Sequence, residues 1–250
     1  MIAQAYSLKI ITMKKLFFSF IAFISLQAFA QDVVVNDANA EKRTLSGSFS
    51  AIHISDGIEL FLTQGSSESV AVSASGNKYI ERLKTEVSGG VLKIYYDNKT
   101  MVWNSNEKRK LKAYVSFKNL EELKAGSGAD VKCKSILQLD NLKMDFSSGS
   151  QFNGEVDIKN LEAHQSSGSE INATGKAETL KTDLSSGAVF KGYDLSVNYC
   201  EAKASSGGEV RITVNKELAA KANSGGSIKY KGEGVVKDIN VNSGGSVKRA

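Results

Sequence analysis

Leu180-Lys-Thr-Asp-Leu-Ser-Ser-Gly-Ala-Val-Phe-Lys191 holds one complete unit of this chain's design. Counted from Gly187, Leu180, Thr182 and Leu184 stand at minus 7, minus 5 and minus 3, and Phe190 stands at plus 3. Mostly polar residues lie between them. That period of two marks a strand with one buried face, whereas a helix would space its apolar residues by three and four. A Ser-Ser-Gly triplet divides the two strand segments. Glycine accepts the positive φ or close backbone approach of a sharp corner, and a serine there can hydrogen-bond the local backbone.

The unit recurs. Its closing glycines are Gly128, Gly149, Gly168, Gly187, Gly207, Gly225 and Gly244, separated by 21, 19, 19, 20, 18 and 19 residues. Three residues after each glycine stand Val131, Phe152, Ile171, Phe190, Val210, Ile228 and Val247, an apolar column without a gap. Upstream columns are Leu142, Leu161, Leu180, Cys200 and Leu218 at minus 7, Leu123 to Ile239 at minus 5, and Ala125 to Val241 at minus 3. A repeat of about 19 residues is too short for crossover helices. Each coil can bury its inner face only by stacking on its neighbours at about 4.8 Å, which also pairs every backbone group. The prediction is an all-β solenoid over residues 119–250.

Residues 44–118 are β-rich but less regular, with expected strands at Leu45–Ile54, Gly57–Gln64, Val70–Ala74, Val91–Tyr96 and Leu111–Phe117. Asn77–Val87 fits a short helix or a strand with a turn, and residues 97–110, with Trp103 and Arg109, read as a polar loop. No linker separates this half from the repeats, so 44–250 is read as a single β-helical domain preceded by a linker at 31–43.

Met13 to Ala30 carries Lys14 and Lys15, an apolar stretch and Ala28-Phe29-Ala30, the pattern of a cleavable export signal ending before Gln31. Met13 is then the expected true start. A membrane anchor is the competing reading, but Leu16–Phe29 is short for a span of about 20 residues and is interrupted by Ser19, Ser25 and Gln27. Cleavage removes Lys9, Lys14 and Lys15 from the 32 basic residues and none of the 27 acidic ones, leaving a net charge of +2. Such balance argues against a nucleic-acid partner. Export raises the question of a disulfide between Cys133 and Cys200. The repeat places them in different columns several coils apart, beyond bonding reach, so both are expected as buried free thiols.

The run Gly47-Ser-Phe-Ser-Ala-Ile-His-Ile-Ser-Asp-Gly-Ile-Glu-Leu-Phe-Leu-Thr-Gln-Gly65, then Val70-Ala-Val, Gly90-Val-Leu-Lys-Ile-Tyr, Leu120-Glu-Glu-Leu and the Ser-Gly ladder, resembles the head GIN domain family of autotransporter-type adhesins. The resemblance covers nearly the whole chain after residue 30. It implies a right-handed β-helix with the shape of the pectin lyases, no recognised catalytic set and a role in adhesion.

A glycosidase needs two facing carboxylates at about 5–9.5 Å. The outward Asp130, Glu170 and Glu209 are instead interleaved with Gln151 and Val189 and read as surface charges. Seven copies of Ser-Gly cannot each be a nucleophile, and His164 lies on the outward phase without a second metal ligand at suitable spacing. No cofactor or metal is expected. The most suggestive feature lies four after each corner: Lys132, Asn153, Asn172, Lys191, Arg211, Lys229 and Lys248. In register these form a ladder suited to an acidic glycan or a surface protein; the alternative is a solvated face that keeps strands from unwanted pairing. The last column residue, Val247, has no capping element after it in the sequence, so end-to-end homo-oligomerisation or shielding by a loop is expected. The leading expectation is an exported, non-enzymatic binding protein of the periplasm or surface, with no transmembrane span after cleavage. A polysaccharide-active enzyme and a structural envelope component are the alternatives.

Overall fold

A computed structural model describes residues 37–98 and 109–250. The export segment and most of the 97–110 loop lie outside them. Within the described residues seventeen strands form one continuous sheet wound into a β-solenoid, with one short helix beside it. Its regular part comprises β8 (Glu122–Ala125), β9 (Asp130–Cys133), β10 (Leu137–Phe146), β11 (Gln151–Gln165), β12 (Glu170–Leu184), β13 (Val189–Ala204), β14 (Glu209–Ala222), β15 (Ser227–Lys231), β16 (Val235–Val241) and β17 (Ser246–Arg249), paired in parallel. Register follows the columns. Met144, Ala163, Thr182, Ala202, Ala220 and Ile239 are successive partners, as are Phe152, Ile171, Phe190, Val210, Ile228 and Val247. The unequal repeat lengths are absorbed by register shifts between Gly192 and Ser196 and between Leu218 and Ala219. There Val236, not Lys237, stands beside Leu218.

The corners explain why register is so strict. Both central residues of each have positive φ, from 47° to 52° at Ser127, Ser148, Ser167, Ser186, Ser206, Ser224 and Ser243, and from 70° to 76° at the glycines. The serine thus shares the left-handed conformation that the sequence assigned to glycine alone. The N–H one residue past the glycine donates back across the turn, as Ala188 does to Ser185 O at 3.1 Å. Glycine N–H groups donate to the serine carbonyl of the next coil: Gly128 to Ser148, Gly149 to Ser167, Gly168 to Ser186, Gly187 to Ser206 and Gly225 to Ser243, at 2.9–3.2 Å. A slip of one residue would break this corner ladder and turn the apolar columns outward.

The amino-terminal half contains the same coil, displaced in sequence. Ser55-Asp56-Gly57 is an eighth corner, with φ of 64° and 68° and Gly57 N–H bonded to Ser127 O at 2.9 Å. It joins β2 (Ala51–Ile54) to β3 (Glu59–Gln64), and Ile52, Ile54 and Leu60 stand beside Leu123, Ala125 and Val131. The chain then leaves the stack and returns on the far side. β6 (Val91–Tyr96) pairs with β2, and β7 (Lys112–Phe117) pairs with β3. β1 (Glu41–Arg43), β4 (Ser69–Ser73) and β5 (Leu83–Ser88) close this end with antiparallel pairings. The 77–87 segment divides into α1 (Asn77–Ile80) and β5, and the expected strand from Leu45 begins only at Ala51. One buried cluster runs from Phe49 to Ile228. The last coil is different: Val235, Ile239 and Val241 are 61%, 48% and 45% exposed.

Candidate functional site

Because inner positions are fixed by the core, outward residues are carried on two strips flanking the Ser-Gly corners. The first strip follows the corner. Lys132, Asn153, Asn172, Lys191, Arg211, Lys229 and Lys248 are consecutive register partners, so the seven ladder residues form one line. The line continues to Phe61 and Tyr114, whose rings stack at 5.1 Å with Lys134 over Phe61 at 4.8 Å. This aromatic end escaped the sequence reading because it belongs to the displaced coil.

The ladder is not a stripe of free cations. Two residues back runs a parallel line of Glu59, Asp130, Gln151, Glu170, Val189 and Glu209. Lys132 bonds Glu59 and Asp130. Lys191 meets Glu170 at 2.7 Å, while Arg211 and Lys229 both reach Glu209, at 2.9 and 2.8 Å. Asn172 donates to Asn153 at 3.1 Å. Of the five cations, Lys248 alone has no carboxylate within ion-pair distance among the described residues. Hydrogen bonds from Arg211 and Lys229 hold the Glu209 carboxyl down at about 2. An acid held that low is a poor proton donor, the reverse of what a glycosidase general acid requires.

The second strip precedes the corner. At minus 4 the register aligns Lys93, His53, Lys124, Asp145, His164, Asp183 and Lys203. At minus 6 it aligns Glu122, Lys143, Glu162, Lys181 and Glu201, alternating in sign coil by coil. Ion pairs knit the two lines together. His53 Nε2 lies 2.6 Å from Glu122, Lys124 3.1 Å from Glu122, Lys143 3.8 Å from Asp145, and His164 Nε2 2.9 Å from Glu162. The pairing with His53 and Lys124 lowers the Glu122 carboxyl and raises the Lys124 ammonium. Between the minus 4 line and the corner serines runs an open groove of about 700 Å³. His164, which the sequence places on the outward phase without a second metal ligand, shares this patterned strip with His53; the alternating charges at minus 6 are the signal in the sequence that marks it.

Both cysteines are free. Cys200 is buried in line with Leu180 and Leu218. Cys133 is only partly buried at the residue level, its thiol tucked beside Gly154, where any Cβ would lie 2.6 Å from its Sγ. Burial pushes both thiols up to about 12. Among the described residues no group of His, Cys, Asp and Glu is arranged to hold a metal, and no helix is long and apolar enough to cross a membrane.

A family model described as "Putative auto-transporter adhesin, head GIN domain" matches residues 48–234. No curated protein matches the chain. Among solved structures, one titled a putative adhesin from Bacteroides fragilis superposes with a TM-score of 0.77 at 17% identity, covering 84% of this chain and 96% of its own. A putative adhesin from Parabacteroides merdae gives 0.65 at 19% identity, covering 86% and 97%. One titled a putative lipid binding protein from Parabacteroides distasonis gives 0.64 at 19% identity, covering 86% and 98%. At these identities the likeness is one of fold.

Proposed function

The chain belongs to the head GIN domain family, described as putative auto-transporter adhesins, and from that premise we propose that it is an exported, non-enzymatic binding protein of the cell envelope or surface. It engages an extended glycan or a surface protein through the strip that follows the Ser-Gly corners. The observation that supports this is the ladder itself: seven outward residues, Lys132 to Lys248, held in one line by unbroken parallel pairing. Such an arrangement suits many weak, repeated contacts, whose sum becomes substantial when they are engaged together. Neutralisation by Glu59, Asp130, Glu170 and Glu209 favours a ligand read by hydrogen bonds and alternating charge over a simple polyanion. The amino-terminal segment through Ala30 supplies the export signal in this reading.

The test is a glycan-array screen of the protein beside a Lys191, Arg211, Lys229 and Lys248 to Ala variant. Loss of the wild-type signals from charged glycans in the variant is the expected result; if those signals are unchanged, the strip is removed from the reading. The same proposal includes end-on self-association through the last described coil, where Val235, Ile239 and Val241 are exposed. A single monomeric species across a sedimentation concentration series would refute that part.

A further inference from the structure

The groove before the corners has a different chemistry from the ladder, and it points to its own ligand. One wall carries Lys124, Asp145, His164 and Asp183 on successive coils, and the other carries the first serines of the corners, Ser147, Ser166 and Ser185. The Oγ atoms of these three serines have no protein hydrogen-bond partner among the described residues. The hydroxyl line begins at Ser147, since the preceding coil places Gly126 at the same position of its corner. Tyr95 lines the amino-terminal end, its hydroxyl donating to Glu86 at 2.8 Å. Hydroxyl donors and acceptors thus face carboxylates and an imidazole across a channel parallel to the solenoid axis. Both walls repeat at the coil spacing of about 4.8 Å. The volume of about 700 Å³ lies within the roughly 300–1,000 Å³ usual for ligand sites.

Three properties select the occupant. First, the wall changes character from coil to coil: Lys124 and Asp145 pair with each other at 3.7 Å, Asp145 also meets Lys143 at 3.8 Å, and His164, whose Nε2 lies 2.9 Å from Glu162, separates Asp145 from Asp183. A polymer of one charge sign would meet a like charge on nearly every second coil, so the ligand is neutral. Second, the backbone here is already consumed by coil-to-coil pairing, leaving no free edge for a peptide strand to join. An extended peptide would also present side chains to one wall every 6.6–6.8 Å or so, out of step with the coils. Third, both walls present hydrogen-bonding side chains coil after coil, from Lys124 to Asp183 and from Ser147 to Ser185, and a lipid chain would cover these groups without pairing them. We propose that this groove binds a neutral, linear oligosaccharide lying along the solenoid axis. Its hydroxyl groups bridge Ser147, Ser166 and Ser185 on one side and Asp145, His164 and Asp183 on the other. The inference rests on the protein being a binder but not on the ladder strip.

The experiment is calorimetric titration of the protein with neutral linear hexasaccharides of glucose, mannose and N-acetylglucosamine, with an oligouronate of the same length as the charged control. Two groove variants are made on exposed or half-exposed positions, Asp145→Ala combined with His164→Ala, and Ser166→Trp, which fills the channel without removing a charge. The ladder variant with Lys191, Arg211, Lys229 and Lys248 changed to Ala is run alongside, and melting curves establish that each variant is folded. Expected is saturable binding of at least one neutral hexasaccharide, no binding of the oligouronate that the groove variants abolish, and a loss of about tenfold or more in both groove variants. The ladder variant should keep wild-type affinity for the neutral ligand. Failure of every neutral hexasaccharide to bind at millimolar concentration overturns the groove assignment, as does binding that both groove variants retain. Neutral binding lost only in the ladder variant also overturns it, while leaving the broader binding function standing.

Discussion

Replacing Glu209 by Gln tests whether the ladder strip is held together by charge pairing. In the folded protein the Glu209 carboxyl falls from an ordinary 4.5 to about 2, chiefly through hydrogen bonds from Arg211 and Lys229. At about 1.36 kcal/mol per pKa unit, that drop has an upper bound of roughly 3 kcal/mol. Both partners are substantially solvated, with side-chain exposures of 38% and 44% against 22% for Glu209. Water and salt therefore screen the pairing, and two such surface pairs are worth about 1–2 kcal/mol together. A depressed carboxyl contributes its full stabilisation above its unfolded value and loses it as pH falls toward the folded one. The wild type should thus exceed Glu209→Gln by about 1–2 kcal/mol at pH 7, with the difference shrinking below about pH 4.5 and vanishing near pH 2. Urea titrations followed by circular dichroism at several pH values measure it. Equal stability at pH 7, or a gap that stays constant down to pH 2, would refute the pairing. If the strip takes polyanions at all, the variant, with two cations released, should bind them more tightly and with a steeper salt dependence.

Phe190 is fully buried, and Phe190→Ala should cost about 3–5 kcal/mol in a urea titration. Tyr199→Ala, at a site 39% exposed, should cost well under that. Gly226→Ala should lower the melting temperature more than Gly207→Ala. At Gly226 a Cβ would lie 2.2 Å from the Ala204 carbonyl oxygen, whereas at Gly207 the space is open and only a φ of +76° must be tolerated, at about 1–2 kcal/mol. A reversed order would show that the corner is more plastic than its hydrogen bonds imply. With both thiols raised to about 12 by burial, a thiol-reactive dye should label the native protein slowly and find two thiols per unreduced chain once denatured. Finding none would require a disulfide and another register.

The carboxy-terminal coils were legible because every constraint is stated several times over. Where Cys200 replaces leucine or Gln165 enters the minus 3 column, the flanking copies still identify the inward phase. Gln165 is accommodated by donating to Val189 O at 2.9 Å, a local solution that no pattern foretells. The amino-terminal half obeys the same rule, yet its corner, Ser55-Asp56-Gly57, is hidden in the sequence. Its Asp56 departs from the Ser-Gly wording, and the next corner, at Gly128, is far along the chain. Between them come the strands that pass to the outer side of the displaced coil and cap it, an order of stacking that depends on tertiary pairing.

The candidate sites divide along the same line. Alignment of the ladder from Lys132 to Lys248 follows from periodicity alone, since residues at one offset from a repeating corner must lie in one row. Whether those cations are available does not follow, because it depends on side-chain reach between rows: Glu209 serves two coils at once, and no single repeat contains that interaction. The groove is further removed still. It needs the minus 4 line and the serine line to face each other across the bend, with compensating charge supplied from minus 6. A solenoid core repeats because each coil must accept the next, but nothing in that packing requires the outward rows to repeat. The corner serines Ser147, Ser166 and Ser185 do, while the residues opposite them change from Asp145 to His164 to Asp183. A uniform wall facing a varied one confines any selectivity of the groove to the varied side. The minus 4 residues, rather than the conspicuous Ser-Gly motif, are therefore where ligand preference would be altered.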